Sequence, residues 1–295
     1  MRAYLSSLNP QLPRPVQILQ LGGLANAFGN GIVLPFLLIY LHNVRGISLG
    51  VAGIVLATNG AVSLVAGPLA GPIVDRIGGR LTLAVSLGFL TLGAAGYAFA
   101  DTLPVAFAAS ILTGIGNGGF WPAQSSLIAG LTPREKRPVA FAMQRVVMNL
   151  GIGLGALTGG LIASTDSVWS FRALFLLDAA TFLVYAVVAL ARVPEPAREA
   201  GEHAALPGSY RDVRRNRVFL AVIGLNCLFI TAGFALLELL PVYMKNHAGV
   251  SERGVGVVFF VNTVVIVVAQ LPLARMVEGR RRMRVLGLLG IVWAA

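Results

Sequence analysis

Long uncharged runs alternate with short polar breaks along this chain. The uncharged runs occupy 15–44, 46–74, 81–100, 102–133, 146–165 and 254–274. A helix needs about 20 apolar residues to cross the hydrocarbon core of a bilayer, so each run predicts one spanning helix. Two further runs, 173–191 and 218–244, contain one acid each, Asp178 and Glu238. That makes eight spanning helices. The apolar run Val285 to Ala295 begins a ninth, and its 11 residues reach roughly 16 Å, half of the core. The breaks fall at glycine, proline and charge, as at Asp75-Arg76, Asp101 and Thr132-Pro133-Arg134.

Composition agrees with the pattern. Hydrophobic residues are 56% of the chain and charged residues 12%, against about 25% charged in soluble domains. Too little charge is present to coat a water-facing surface. Disorder is excluded because it requires low hydrophobicity. The 295 residues therefore read as an all-α membrane protein, not as one or two soluble domains. A net charge of +11 on a soluble protein would suggest nucleic acid. Here the basic residues lie between the apolar runs and sort by side. With the N-terminus inside, eighteen Lys and Arg fall in inner segments, and three, Arg45, Lys245 and Arg253, in outer loops. This positive-inside bias places the N-terminus and the central loop on the cytoplasmic side of the inner membrane. Met1 to Pro15 carries Arg2 and Arg14 but no short apolar core with a cleavage site, so it reads as a cytoplasmic tail. The lone Cys227 excludes an internal disulfide or a cysteine metal cluster.

The longest polar interruption divides the chain. Residues 1–192 predict a six-helix bundle, 193–217 a cytoplasmic loop, and 218–295 an incomplete second bundle of helices seven, eight and the start of nine. The loop's Pro, Gly and mixed charges suit a solvated linker. A weak internal repeat supports the division. At a shift of 203 residues, Ser48, Gly53, Asn59, Ala66 and Val74 fall on Ser251, Gly256, Asn262, Ala269 and Val277, and Asp75 falls on Glu278. Pro35 matches Pro241 after a three-residue gap. Parallel repeats about an axis along the membrane normal occur in secondary transporters.

Three local patterns carry chemistry. The first is GPIVDRIGGR, Gly71 to Arg80. Gly71 and Asp75 share a helix face. A glycine there allows another helix to approach, and Asp75 can accept from a neighbouring helix N-terminus. Arg76 and Arg80 hold the inner loop by charge. The second is the stripe Gly151, Gly155, Gly159 with Gly160, within NLGIGLGALTGG. Four-residue spacing of glycine lets membrane helices pack closely, with or without a bearing on transport. The third is intramembrane charge, costing about 2.5–3.5 kcal/mol per group on insertion scales and so turned toward a cavity or a partner. Glu238 reads as a proton carrier, a cation-binding carboxylate or an acid at the outer rim. Asp178 and Arg145 read as an ion pair locking the first six helices, with a proton role as the alternative.

The first pattern fills every defined position of Gly-x-x-x-Asp-Arg-x-Gly-x-Arg with Gly71, Asp75, Arg76, Gly78 and Arg80. It resembles the loop signature between helices two and three of the major facilitator superfamily. Six helices, a long inner loop and a second set resemble that family's arrangement. GIGNGGFWPAQ, Gly114 to Gln124, resembles its Gly-rich fourth helix, with Ser110 where many members carry arginine and Thr113 where glutamine is common. The glycine stripe is similar to the antiporter motif of drug exporters, with Ala156 for the usual proline and Ala142 for the first glycine. The resemblance implies a major facilitator fold with a complete six-helix half and a partial second half, within the twelve-helix drug:proton antiporter branch. The chain would then be about two thirds of the whole, lacking the eleventh helix that partners Gly71 and Asp75, and unable to transport by itself.

The resemblance also places helices one, four and seven around a central cavity. Carried onto this chain, Asn26, Asn30, Asn117, Trp121, Asn226 and Glu238 become cavity candidates; each asparagine could equally serve as a helix–helix hydrogen bond. An aliphatic cavity with one tryptophan and few charges suits a lipophilic or cationic compound rather than a sugar. The expectation is a secondary transporter, monomeric when complete, exporting small molecules at the expense of a proton gradient with no cofactor. An uptake symporter or a transport-inactive relative of the same fold are the alternatives. No enzyme is expected. His42, His203 and His247 lack metal-ligand spacing, and no phosphate-cradling Gly-Lys loop is present.

Overall fold

The computed structural model describes residues 11–196, 215–277 and 287. The middle of the central loop and the run from Val285 lie outside the described residues, apart from Gly287. The described chain forms eight long helices: α1 (Arg14–Val33), α2 (Leu49–Ile77), α3 (Gly79–Ala98), α4 (Leu103–Leu131), α5 (Arg137–Ile162), α6 (Val168–Arg192), α7 (Arg217–Asn246) and α8 (Glu252–Val277). Seven spans among the described residues are long and apolar enough to cross a membrane, and α7 adds the apolar stretch Arg217–Thr231.

Proline punctuates these helices in two ways. α1, α4 and α5 each carry proline in the first turn, where the missing N–H would have had no helical partner. Pro35 instead ends α1, and the chain resumes as a short helix, Leu37–Ile39, and a π turn, Tyr40–Val44. All three pieces belong to one apolar span, Arg14–Val44. Between α2 and α3 the chain reverses within Gly78 alone, at φ +91°, a backbone region that glycine enters without steric cost.

α1 sits between α5 and α6; α4 packs on α2 and α3; α3 also packs on α6; α8 lies along α5. The buried side chains form two apolar clusters, one toward each end of the bundle. One holds Ile32, Phe36, Tyr40, Tyr97, Phe171 and Phe175. The other includes Leu19, Leu87, Phe120, Leu127, Phe182 and Tyr185. Large apolar side chains such as Leu64, Leu161, Val184 and Val265 point outward, as suits a surface solvated by lipid. At the Tyr40 end, Asp101 pairs with Arg45 and Arg172. There Arg45 Nε donates to the Tyr40 hydroxyl at 2.7 Å, and that hydroxyl donates to the Tyr97 carbonyl at 3.0 Å.

The weak sequence repeat has a structural counterpart. α1 starts at Arg14 and α7 at Arg217; α2 starts at Leu49 and α8 at Glu252. Both pairs keep the shift of 203 seen in the sequence. Asn43 Nδ2 donates to Asn246 Oδ1 at 2.7 Å, and these residues are also 203 apart. A residue bonded to its own counterpart lies beside the axis relating the repeats.

Candidate functional site

A cavity of about 130 Å³ lies where the two apolar clusters meet. Five spans build its polar lining: Asn30 from α1, Asn59 from α2, Thr113 and Asn117 from α4, Asp178 from α6 and Glu238 from α7. Tyr97, Phe175 and Phe182 supply aromatic walls. Two carboxyls face this space, and among the described residues no basic side chain lines it. A larger groove of about 580 Å³ runs between α2, α3 and α4. Its lining is apolar apart from Thr82 and Ser86, whose hydroxyls bond back to the Gly78 and Thr82 carbonyls. It offers no free polar group to orient a ligand, so the smaller cavity is the candidate site.

Hydrogen bonds fix the carboxamides. Asn59 Nδ2 donates to Thr113 Oγ1 at 2.6 Å, and Asn117 Nδ2 reaches Asn59 Oδ1 at 3.4 Å. Thr113 passes its own proton to backbone carbonyls of α4 at 3.0 Å. Asn30 Nδ2 donates to the Asn26 carbonyl at 3.1 Å. Ser110 donates to the Val55 carbonyl and ties α4 to α2 beside this network. The small residue at this position lets the two helices touch.

Of the residues expected in the cavity, Asn30, Asn117 and Glu238 line it. Asn26 is buried at 2% exposure but is not part of the lining. Trp121 is half exposed and stands edge-on to Phe120; it is Phe120 that turns into the core. Asn226 is exposed on α7, 12 residues and about 18 Å short of Glu238 along the helix. The expected Asp178–Arg145 pair does not form. Asp178 is buried against α1, Arg145 is exposed on α5, and α1 stands between their two helices. Sequence reasoning missed the cavity roles of Asn59 and Tyr97. Asn59 did carry a signal, as an asparagine in an otherwise apolar helix.

The glycine stripe divides between two neighbours. A Cβ on Gly151, Gly155 or Gly159 would strike the α1 backbone at Leu24 to Ile32. A Cβ on Gly160 would strike Glu252 and Gly256 of α8, and one on Gly153 would strike Thr263. α5 is therefore glycine-faced on two sides.

The turn within the signature at 71–80 is held from the central loop. The acceptor at the α3 N-terminus is Glu195, at the start of the central loop. Its carboxylate takes the Gly79 N–H at 2.7 Å and the Arg80 N–H at 2.9 Å. A side chain on Gly78 would collide with that carboxylate. Arg80 Nη1 reaches the Val193 carbonyl at 3.4 Å. Asp75 and Arg76 are exposed at this turn.

Residues 19–295 match the family model of the Major Facilitator Superfamily. This chain belongs to that family. It is an integral membrane protein of a transporter family, not an enzyme. It is 30% identical over 174 residues to an uncharacterized MFS-type transporter, YttB, of Bacillus subtilis (strain 168), covering 59% of this chain and 43% of that one. It is 26% identical over 170 residues to Multidrug resistance protein 1 of the same strain, covering 58% and 42%. A Na(+), Li(+), K(+)/H(+) antiporter of Planococcus maritimus is 30% identical over 242 residues, covering 73% and 54%. The chain thus spans about half the length of these relatives. A solved bacterial homologue of the human lysosomal transporter Spinster, inward-facing and unoccupied, superimposes with a TM-score of 0.74 at 15% identity, covering 90% of this chain and 63% of that one. That likeness shows the fold.

Proposed function

We propose that the protein is a secondary active transporter that expels small lipophilic cations in exchange for protons, by alternating access about the cavity. The observation carrying this reading is the cavity lining among the described residues: two carboxyls, three carboxamides, three aromatic walls and no base. A cation is attracted to the carboxyls and to the faces of aromatic rings. Glu238 comes from α7 and Asp178 from α6, so the two acids approach the space from opposite members of the repeat. A carboxyl in an apolar surrounding can hold either a proton or an organic cation, and that exchange is the chemistry antiport requires. Relatives named as a multidrug resistance protein and as a cation/proton antiporter support the reading. The arginine-rich end of the bundle, with Arg76, Arg80, Arg134 and Arg137, faces the cytoplasm of the inner membrane by the positive-inside bias. The protein acts as a monomer and uses no cofactor.

The test is ethidium accumulation in cells expressing the gene, with and without an uncoupler. Lower accumulation that the uncoupler abolishes is expected. Higher accumulation would mean uptake, and accumulation unchanged in both conditions would mean that ethidium is not moved. Glu238→Gln should lose at least tenfold of gradient-driven efflux. Full efflux in that variant would take Glu238 out of the coupling path.

A further inference from the structure

The cavity where the two apolar clusters meet is unevenly supplied with hydrogen-bonding groups. Its three carboxamides each spend one N–H on the protein: Asn59 Nδ2 donates to Thr113 Oγ1 at 2.6 Å, Asn117 Nδ2 to Asn59 Oδ1 at 3.4 Å and Asn30 Nδ2 to the Asn26 carbonyl at 3.1 Å. Thr113 spends its only hydroxyl proton on backbone carbonyls of α4. The oxygens are used less fully. Asn59 Oδ1 is taken, whereas Asn30 Oδ1 and Asn117 Oδ1 accept from no group among the described residues. Both side chains are half-buried and line the open space, so these oxygens are within reach of a ligand. The Asp178 carboxyl already meets the Thr181 hydroxyl. The acceptors left for a ligand therefore come from three helices: Asn30 on α1, Asn117 on α4 and the Glu238 carboxyl on α7.

Such a lining distinguishes two kinds of cation. A quaternary ammonium brings charge but no N–H, and its methyl groups hold that charge away from the oxygens. When it displaces water from the cavity, the carboxamide oxygens lose their donors and gain none. That is the condition under which a polar site discriminates most steeply. A protonated amine or an amidinium carries the same charge together with donors for those oxygens. The aromatic walls, Tyr97, Phe175 and Phe182, cannot make this distinction, because the attraction of a cation to a ring face serves both kinds. The volume of about 130 Å³ suits a compact head group.

We propose that the cavity selects cations bearing N–H donors, protonated amines and amidinium groups, over quaternary ammonium ions of the same carbon skeleton, and that Asn30 and Asn117 set the preference. Asn59 is a positioning residue. Held by Thr113, it fixes the Asn117 carboxamide from α2 and leaves the Asn117 oxygen to the ligand. Ethidium, whose ring system carries amino groups, meets the requirement. The inference rests on the cation reading above and adds the head group to it.

The complete gene product, purified in detergent, is titrated calorimetrically at neutral pH with phenethylammonium and with its N,N,N-trimethyl analogue, both fully charged. Wild-type protein should bind the primary ammonium about tenfold more tightly. Asn30→Leu and Asn117→Leu should each shrink that ratio about threefold, chiefly by weakening the primary ammonium. Asn59→Leu should do so to a lesser degree, and Glu238→Gln should weaken both probes. Asparagines that serve only to join helices would weaken both probes alike, so an unchanged ratio in Asn30→Leu and Asn117→Leu overturns the proposal. Equal affinity for the two probes in the wild type also overturns it, and leaves the cation reading standing. Binding of neither probe removes the cation reading and this proposal with it. If Asn117→Leu does not fold, Asn30→Leu and the milder Asn117→Ala carry the same comparison.

Discussion

α5 packs against two helices through glycine, and the two seams differ. Toward α1, Gly151, Gly155 and Gly159 meet backbone at three successive turns: Leu24 and Phe28, then Phe28 to Ile32, then Ile32 with the Phe36 ring. Toward α8, Gly160 meets Glu252 and Gly256, and two turns along Gly153 meets the Thr263 side chain. The first seam is enclosed. α1 is held on its other sides by α6 and α4, with Tyr185 of α6 donating to the Leu19 carbonyl, and Gln20 adds a bond to the Ala140 carbonyl of α5. The second seam has α5 on one side, and α8 exposes Val257, Val258, Val261 and Val265. One small-residue rule thus builds two seams, one against the α1 backbone and one against α8.

The contrast is broken first at the enclosed seam. Gly155→Ala would place a methyl group on the Phe28 carbonyl, with no room for α1 to retreat. A loss of about 2–3 kcal/mol is expected, read as a large drop in melting temperature in detergent and in folded yield. Unchanged melting would mean that α1 can move and that the two seams are alike. Gly160→Ala presses on α8 instead, where the clash with the Glu252 carbonyl is milder than that of Gly155 with the Phe28 carbonyl. A smaller loss, about 1 kcal/mol, is expected, together with impaired transport in the ethidium assay. Melting as low as that of Gly155→Ala would remove the distinction.

Glu252 latches the second seam. It accepts the Thr165 N–H at 3.2 Å and pairs with Lys245 at 2.9 Å. Glu252→Gln should cost about 0.5–1 kcal/mol and speed proteolysis near Asn246 more than anywhere in α1 to α6. Uniform proteolysis would mean that the latch stabilises the whole bundle. The smallest effect is expected at the opposite end. Glu195→Ala removes the acceptor for two α3 N–H groups, costing about 1 kcal/mol or less, and should leave both α5 seams as they were. Altered cross-linking between cysteines placed at positions 153 and 263 would show that the α2–α3 turn communicates with the α8 seam.

The helix count and the family were legible because both rest on local pattern. Apolar run length is set by bilayer thickness, and the spacing within Gly71 to Arg80 is set by one turn of chain. The repeat was legible as a shift of 203, though its identities were few; helix starts and the Asn43–Asn246 bond carry it in three dimensions. The site was less legible. Asn30, Asn117 and Glu238 could be named because they are polar residues on expected cavity helices. Trp121 and Asn226 meet the same criterion but are exposed and do not line this cavity, and polarity does not say which way a helix is turned. Asp178 and Arg145 were matched by opposite charge, yet α1 lies between α5 and α6.

Sequence alone determined the membrane, the helices and the punctuation by proline and glycine. These depend on solvent and on backbone sterics, which act over a few residues at a time. Tertiary structure alone decided which face each helix presents. It brought Asn59 to Thr113, set Glu195 under Gly78, divided the α5 glycines between α1 and α8, and buried Asp178 against α1. Such pairings depend on which helices are neighbours and on how each is rotated, and both are fixed by the packing of the bundle as a whole.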